Sequence, residues 1–374
     1  TKGLSNCDNN IIDSNTITGG YYAIDMNSYA GNFGFSYTPM NNNVVTNNHI
    51  TGFTNGAINV IWNNNALIQG NDIEGETVQS SYGIHLDEKN TNIRINGNRI
   101  HNISSQTGAA NANFEAISIT NCLADAANGN QVTNNLIYDV RNQNDQDGIS
   151  FTGSSWINVY HNSIILDGPA AGSGVVTTGF KLQSANSNIN FKNNIVTVHR
   201  PGTGTGYGIY ALTAPGAFVS DYNDITVTTP NRFGRWVGTS YPLLADWQTG
   251  TTQDAHSASH DPIFTDPATG NYKPTNAAMD NLGIYVAVNF DILGQPRNNI
   301  HPDAGAYEFL TPPCGTPVIA GSAIGAPPIP LCSGLTRTLN LAGNSFGNGQ
   351  TYRWQSAPTL TGPYTNIGNS NIIP

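Results

Sequence analysis

The sequence predicts an all-β chain, most of it a solenoid of short stacked strands, and three observations carry that expectation. An apolar-x-x-Asn-x-apolar hexad recurs along the first 225 residues, and short runs of alternating apolar and polar residues fall between its copies. Only 10% of the residues are charged while 40 are Gly, so the Glu and Lys that favour helices are scarce.

The hexads read IDSNTI, VTNNHI, IQGNDI, INGNRI, VTNNLI, VYHNSI, FKNNIV and a degenerate SDYNDI. Their key asparagines are Asn15, Asn48, Asn71, Asn98, Asn135, Asn162, Asn194 and Asn223, separated by 33, 23, 27, 37, 27, 32 and 29 residues. Irregular spacing predicts connecting loops of different lengths. Between the hexads lie NGAINV, YGIHL, FEAISI, DGISF, TGFKL and YGIYAL, each a small residue followed by a two-residue alternation that marks a strand with one buried face.

No connection is long enough for a helical crossover within a flat parallel sheet. Winding the chain so that equivalent strands stack about 4.8 Å apart pairs every backbone group with the next coil, and eight coils would stand roughly 40 Å tall. The Asn is expected to supply the left-handed residue of the turn between two strands, and aligned amides can hydrogen-bond from coil to coil.

With the repeat in view, residues 4 to 230 resemble the right-handed parallel β-helix of the pectate-lyase-like superfamily. That group includes polysaccharide lyases, glycoside hydrolases, phage tailspikes and non-enzymatic surface proteins, so the resemblance implies a fold and not an activity. Three domains are expected: coils over 1–230, last coils and cap over 231–310, and a small Ig-like β-sandwich over 311–374.

The 231–310 segment carries Asp261-Pro262-Ile263-Phe264, Gly294-Gln295-Pro296-Arg297 and the ending Asp303-Ala304-Gly305-Ala306-Tyr307-Glu308. It is similar to the closing region of many secreted bacterial β-helix proteins, and Arg297, Asp303 and Glu308 are expected to cover open strands at the end of the solenoid. The 311–374 segment resembles Ig-like modules arrayed on large bacterial surface proteins, with Trp354 in its core and Cys314 and Cys332 close enough in sequence to bridge. Cys7 and Cys122 are expected to be unpaired. The first residues enter mid-repeat and the last stop short of a full sandwich, so the chain is expected to be a section of a longer polypeptide.

Fourteen Lys and Arg against 24 Asp and Glu give a net charge of -10 with no basic run, which excludes duplex nucleic acid as a partner and opposes acidic polymers. No apolar stretch reaches the roughly 18 residues of a membrane span. The resemblance implies a secreted or cell-surface location in a bacterium.

Catalysis on a solenoid needs outward side chains. If Ile24, Ile58, Ile84, Ile117, Ile149, Phe180 and Ile209 point inward, then Asp25, Asn59, His85, Ser118, Ser150, Lys181 and Tyr210 form an outward row, with Asp87 in the next. His85 with Asp87 is a candidate base with its orienting carboxylate, and Lys181 lies three coils further, roughly 14 Å away. Asp25 and Asp87 are the candidate carboxylates for a hydrolase. Asp145 and Asp147, beside Asp139 in the loop DVRNQNDQDG, are candidate calcium ligands, the only cofactor the sequence brings into view. Trp62, Trp156 and Tyr210 are candidate sugar-stacking residues.

The expected function is a non-enzymatic adhesin or structural fibre component, open to glycan binding, whose partner is a glycan, another surface polymer or further modules of the same protein. The alternative is a polysaccharide lyase or glycoside hydrolase with its cleft beside the enlarged coil between Asn98 and Asn135. A trimeric, tailspike-like receptor binder is a third reading.

Overall fold

Strands of two to eight residues with one apolar face cannot bury that face alone, and this chain buries it by winding. The computed structural model describes residues 7–28, 38–75, 81–103, 113–228 and 232–309, with short pieces at 322–324, 340–342, 355–359 and 361–366. Among these residues three sheets run along a right-handed parallel β-helix. The first has eight strands from Ile11–Asp13 to Phe218–Asp221, and the second eight from Thr16–Thr18 to Asp224–Val227. The third has nine, from Tyr22–Asn27 to Gly234–Trp236 and a final Thr239–Tyr241. That last strand pairs antiparallel, which ends the parallel stack.

The register sets like on like. Ile24, Ile58, Ile84, Ile117, Ile149, Phe180 and Ile209 are aligned partners in consecutive coils of the third sheet, and all are buried. Burying each such side chain contributes about 1.5–3 kcal/mol. Towards the later coils the core turns aromatic, with the Phe180 ring 4.3 Å from Phe191 and 5.3 Å from Phe151.

The eight key asparagines make one continuous ladder. Each Nδ2 from Asn15 to Asn194 donates to the Oδ1 of the next asparagine at 2.9–3.1 Å, as does each backbone N–H at 2.9–3.0 Å. From Asn48 onward each amide also donates to a backbone carbonyl one coil back, such as Asn135 to Ile95 at 3.0 Å.

The ladder asparagine is not the left-handed residue of its turn, contrary to the expectation from sequence. That role falls to its predecessor: Ser14, Asn47, Gly70, Gly97, Asn134, His161, Asn193 and Tyr222 have φ between 54° and 65°. The reversal at the predecessor aims the following amide into the corner, where its acceptor meets the next coil. A second amide stack, unforeseen, links Asn9, Asn42, Asn65 and Asn92 at 2.7–3.1 Å, and these exposed or half-buried residues do adopt positive φ.

The end of the solenoid is closed by the helix Leu244–Thr251, not by the Arg297 segment. Trp247 on that helix is fully buried, with Phe233, Trp236 and Tyr241 within 5.8–5.9 Å of its ring. The stretch 264–309 instead lies along the flank of the second sheet. There the outward residues Leu136, Ile165 and Ile195 are apolar and are covered by Tyr272, Ala304, Ala306, Tyr307 and Phe309. Arg297 pins this strap: it donates to Asn134 Oδ1 and the Gly305 carbonyl at 2.9 Å and to Glu308 at 3.2 Å. The Asp303 carboxylate accepts from the backbone of Asn281 and Phe309. The three charged residues therefore fasten a side cover, because the apolar surface needing it is on the flank.

The chain from Leu310 to Pro374 belongs to a separate compact unit. It contains two antiparallel pairs, Ser322–Ile324 with Asn340–Ala342 and Gln355–Ser356 with Thr365–Asn366. Cys314, Cys332 and Trp354 lie outside the described residues. Cys7 and Cys122 are free thiols, and burial pushes that of Cys122 up to about 12.

Candidate functional site

Outward rows on the third sheet form the candidate site. Asp25, Asn59, His85, Ser118, Ser150, Lys181 and Tyr210 are successive Cα partners, the row expected from alternation. Asp87 lies in the next row with Thr120 and Thr152.

His85 is mostly buried, its ring stacked on Tyr82 at 4.3 Å and 11°. Its Nδ1 lies 3.0 Å from Asn59 Oδ1, while Asn59 Nδ2 donates to Asp25 at 2.8 Å. Since that oxygen only accepts, His85 carries its proton on Nδ1. Burial lowers its pKa, so it is neutral near pH 7. The structure does not pair it with Asp87, whose carboxylate accepts the Glu88 backbone N–H at 2.9 Å and is raised in pKa by burial. Asp25 and Asp87 likewise serve separate partners.

Lys181 is not a solvated charge. Its Nζ donates to Asp147 Oδ2 at 2.7 Å, and the two side chains are 17% and 3% exposed. Burial pushes the Asp147 carboxyl up to about 6, although Lys181 pulls the other way. Burial also works against the Lys181 ammonium, but Asp147 outweighs it and raises its pKa. Among the described residues the Asp147 Oδ1 atom has no hydrogen-bond partner.

Asp147 belongs to a row that alternation alone misses: Tyr22, Gly56, Tyr82, Glu115, Asp147, Thr178 and Tyr207. By parity Tyr82 should share the inward side of Ile84, yet it stacks on the outward His85. The period breaks at the small residue between them. A Cβ on Gly148 would lie 2.4 Å from Ile164 Cγ2, and on Gly179 2.1 Å from Val196 Cγ1, so these backbones press onto the core. The recurrent Gly was the available signal, because a break in period is one reason for Gly inside a strand.

The calcium candidates take separate partners. Asp145 accepts the Val176 backbone N–H at 2.7 Å, Asp147 holds Lys181, and Asp139 pairs with Arg141. The aromatic candidates are also dispersed. Trp62 follows the second third-sheet strand at φ 57°, with Lys89 Nζ 4.2 Å from its ring centroid. Trp156 is 39% exposed on the first sheet. Tyr210 stays on the third sheet, 5.1 Å from Tyr207, with the guanidinium of Arg235 5.4 Å from its ring.

No curated protein matches the chain. Residues 3–132 match the family described as right handed beta helix region. The strand register continues the same coils through Val227, and by fold the chain is a right-handed parallel β-helix protein.

Proposed function

We propose that the protein is a non-enzymatic, secreted or cell-surface adhesin of a bacterium, and that the outer face of its third sheet binds a neutral glycan. The observation that supports this best is that the cation of that face is already spent on a carboxylate. Lys181 is committed to Asp147, so it is not free to abstract a proton as a lyase requires, and His85, held through Nδ1 by Asn59, is not paired with the Asp87 carboxylate. The half-buried Thr120, Thr152 and Gln183, with Tyr82 and Tyr210, leave a surface suited to hydrogen-bonding and stacking on sugars. The net charge of -10 favours a neutral polymer over an acidic one. The resemblance of the coils to the pectate-lyase-like superfamily, and of the 311–374 sequence to Ig-like modules, fits a displayed surface protein.

The test is a panel of neutral and acidic glycans, scored for retention and for released ends. Retention of neutral glycans, weakened by Tyr210→Ala and without new reducing or unsaturated ends, is the expected result. Released ends, or retention of none, would overturn it.

One observation favours hydrolysis as a second reading. Glu115 and Asp147 are Cα partners on adjacent strands whose backbones run about 4.8 Å apart, which sets two carboxyl side chains next to each other, the residue pair that glycoside hydrolysis uses. A carboxyl pushed up to about 6 suits a general acid. In that case Asp147→Asn would abolish release of reducing ends.

A further inference from the structure

The outer face of the second sheet carries another cluster, on a different side of the coil from the proposed glycan surface. One outward row runs Thr16, His49, Asp72, Arg99 and the next Thr18, Thr51, Glu74, His101. Further along, Leu136, Ile165 and Ile195 take such positions and the 264–309 strap covers them; on the early coils they hold imidazoles and carboxylates.

His49 Nδ1 is 3.2 Å from Asp72 Oδ2, and His101 Nε2 is 2.7 Å from Asp72 Oδ1 and 4.0 Å from Glu74 Oε1. One ligand atom each from His49, Asp72 and Glu74 can be chosen so that all lie within 4.8 Å of one another. Donors bound to zinc at about 2.0–2.2 Å in a tetrahedron are about 3.3 Å apart, so small side-chain rotations would close the set. Arg99, the cation in the same row, reaches instead to the Tyr307 hydroxyl at 3.3 Å.

We propose that His49, Asp72 and Glu74 bind one divalent transition-metal ion, zinc foremost, with His101 holding Asp72 in place from behind. Two carboxylates and a neutral imidazole balance a divalent charge, and the imidazole selects against calcium, which takes six to eight oxygens. The orienting ring of His101 is itself fixed, stacked on Tyr138 at 4.7 Å and 7°. Three protein ligands leave a position for water or a ligand atom.

The test uses the whole chain, stripped with chelator and titrated calorimetrically with zinc chloride. One zinc per chain is expected, with affinity weakened about tenfold or more by His49→Gln and by Asp72→Asn. His256→Gln, which removes the exposed imidazole 2.8 Å from Asp221, should leave it unchanged. Cobalt in the unsubstituted protein should give visible bands of imidazole ligation, a readout that does not depend on the variants folding. No zinc uptake, equal loss in His256→Gln, no cobalt bands, or preference for calcium would each overturn the proposal.

Discussion

The Asp254 Oδ1 atom accepts from Asn223 Nδ2 at 3.1 Å, so a buried carboxylate terminates the amide ladder that begins at Asn15. The same carboxylate accepts from Ser220 at 2.8 Å, Ser257 at 2.6 Å and the Trp247 indole at 2.8 Å. The last rung is thereby tied to the closing helix.

Asp254→Ala should therefore loosen the terminal coils, at a cost of about 3 kcal/mol from donors left without an acceptor. Burial raises the Asp254 pKa, so Asp254→Asn, which keeps one acceptor and removes the buried charge, should cost less. Hydrogen exchange should quicken around Asn194 and Asn223 before it does around Asn48. Uniform acceleration along the solenoid would contradict the tie.

A rung in the middle should matter more than one at the start. Asn135→Ala strips partners from the Asn98 backbone N–H and the Ile95 carbonyl, both buried, and should cost about 3 kcal/mol in urea denaturation. Asn15→Ala, at the exposed end, should cost about 1 kcal/mol or less. Equal costs would mean that the ladder contributes little.

Gly179→Ala should destabilise by about 1–3 kcal/mol, because the added methyl would lie 2.1 Å from Val196 Cγ1 and 2.8 Å from the Gly208 carbonyl. Gly172→Ala, with nothing within 4 Å, is the neutral control. Melting curves of the two variants decide the point.

The Asp147 carboxyl has a folded pKa of about 6 against a reference of 3.8. A raised acid pKa means that the folded chain keeps a proton the unfolded chain has released, so this group's contribution falls as pH rises from about 4 to about 6. The stability of Asp147→Asn relative to the unsubstituted protein should accordingly rise over that window, by on the order of 2 kcal/mol. A difference that stays flat from pH 4 to pH 7 would refute the assignment.

The coils were legible because one signal repeats: the apolar pair around each asparagine gives position, and the Ile24 to Ile209 series gives direction. The outward row from Asp25 to Tyr210 followed from period two alone. The Glu115 and Asp147 row did not, since the small residue ahead of each core isoleucine breaks that period. His49, Asp72, Glu74 and His101 escaped for another reason. They sit beside ladder positions read for structure, and only the register across three coils brings them together. The strap was misplaced because paired charges in a sequence do not reveal which surface they clamp.

The ladder also explains why intervals of 23 to 37 residues coexist in a single regular stack. Height along the axis is indexed by an amide in every turn and not by the length of chain that precedes it. Corner segments can therefore grow, shrink or change character without shifting their neighbours, which frees the rim to diversify while the shaft stays constant.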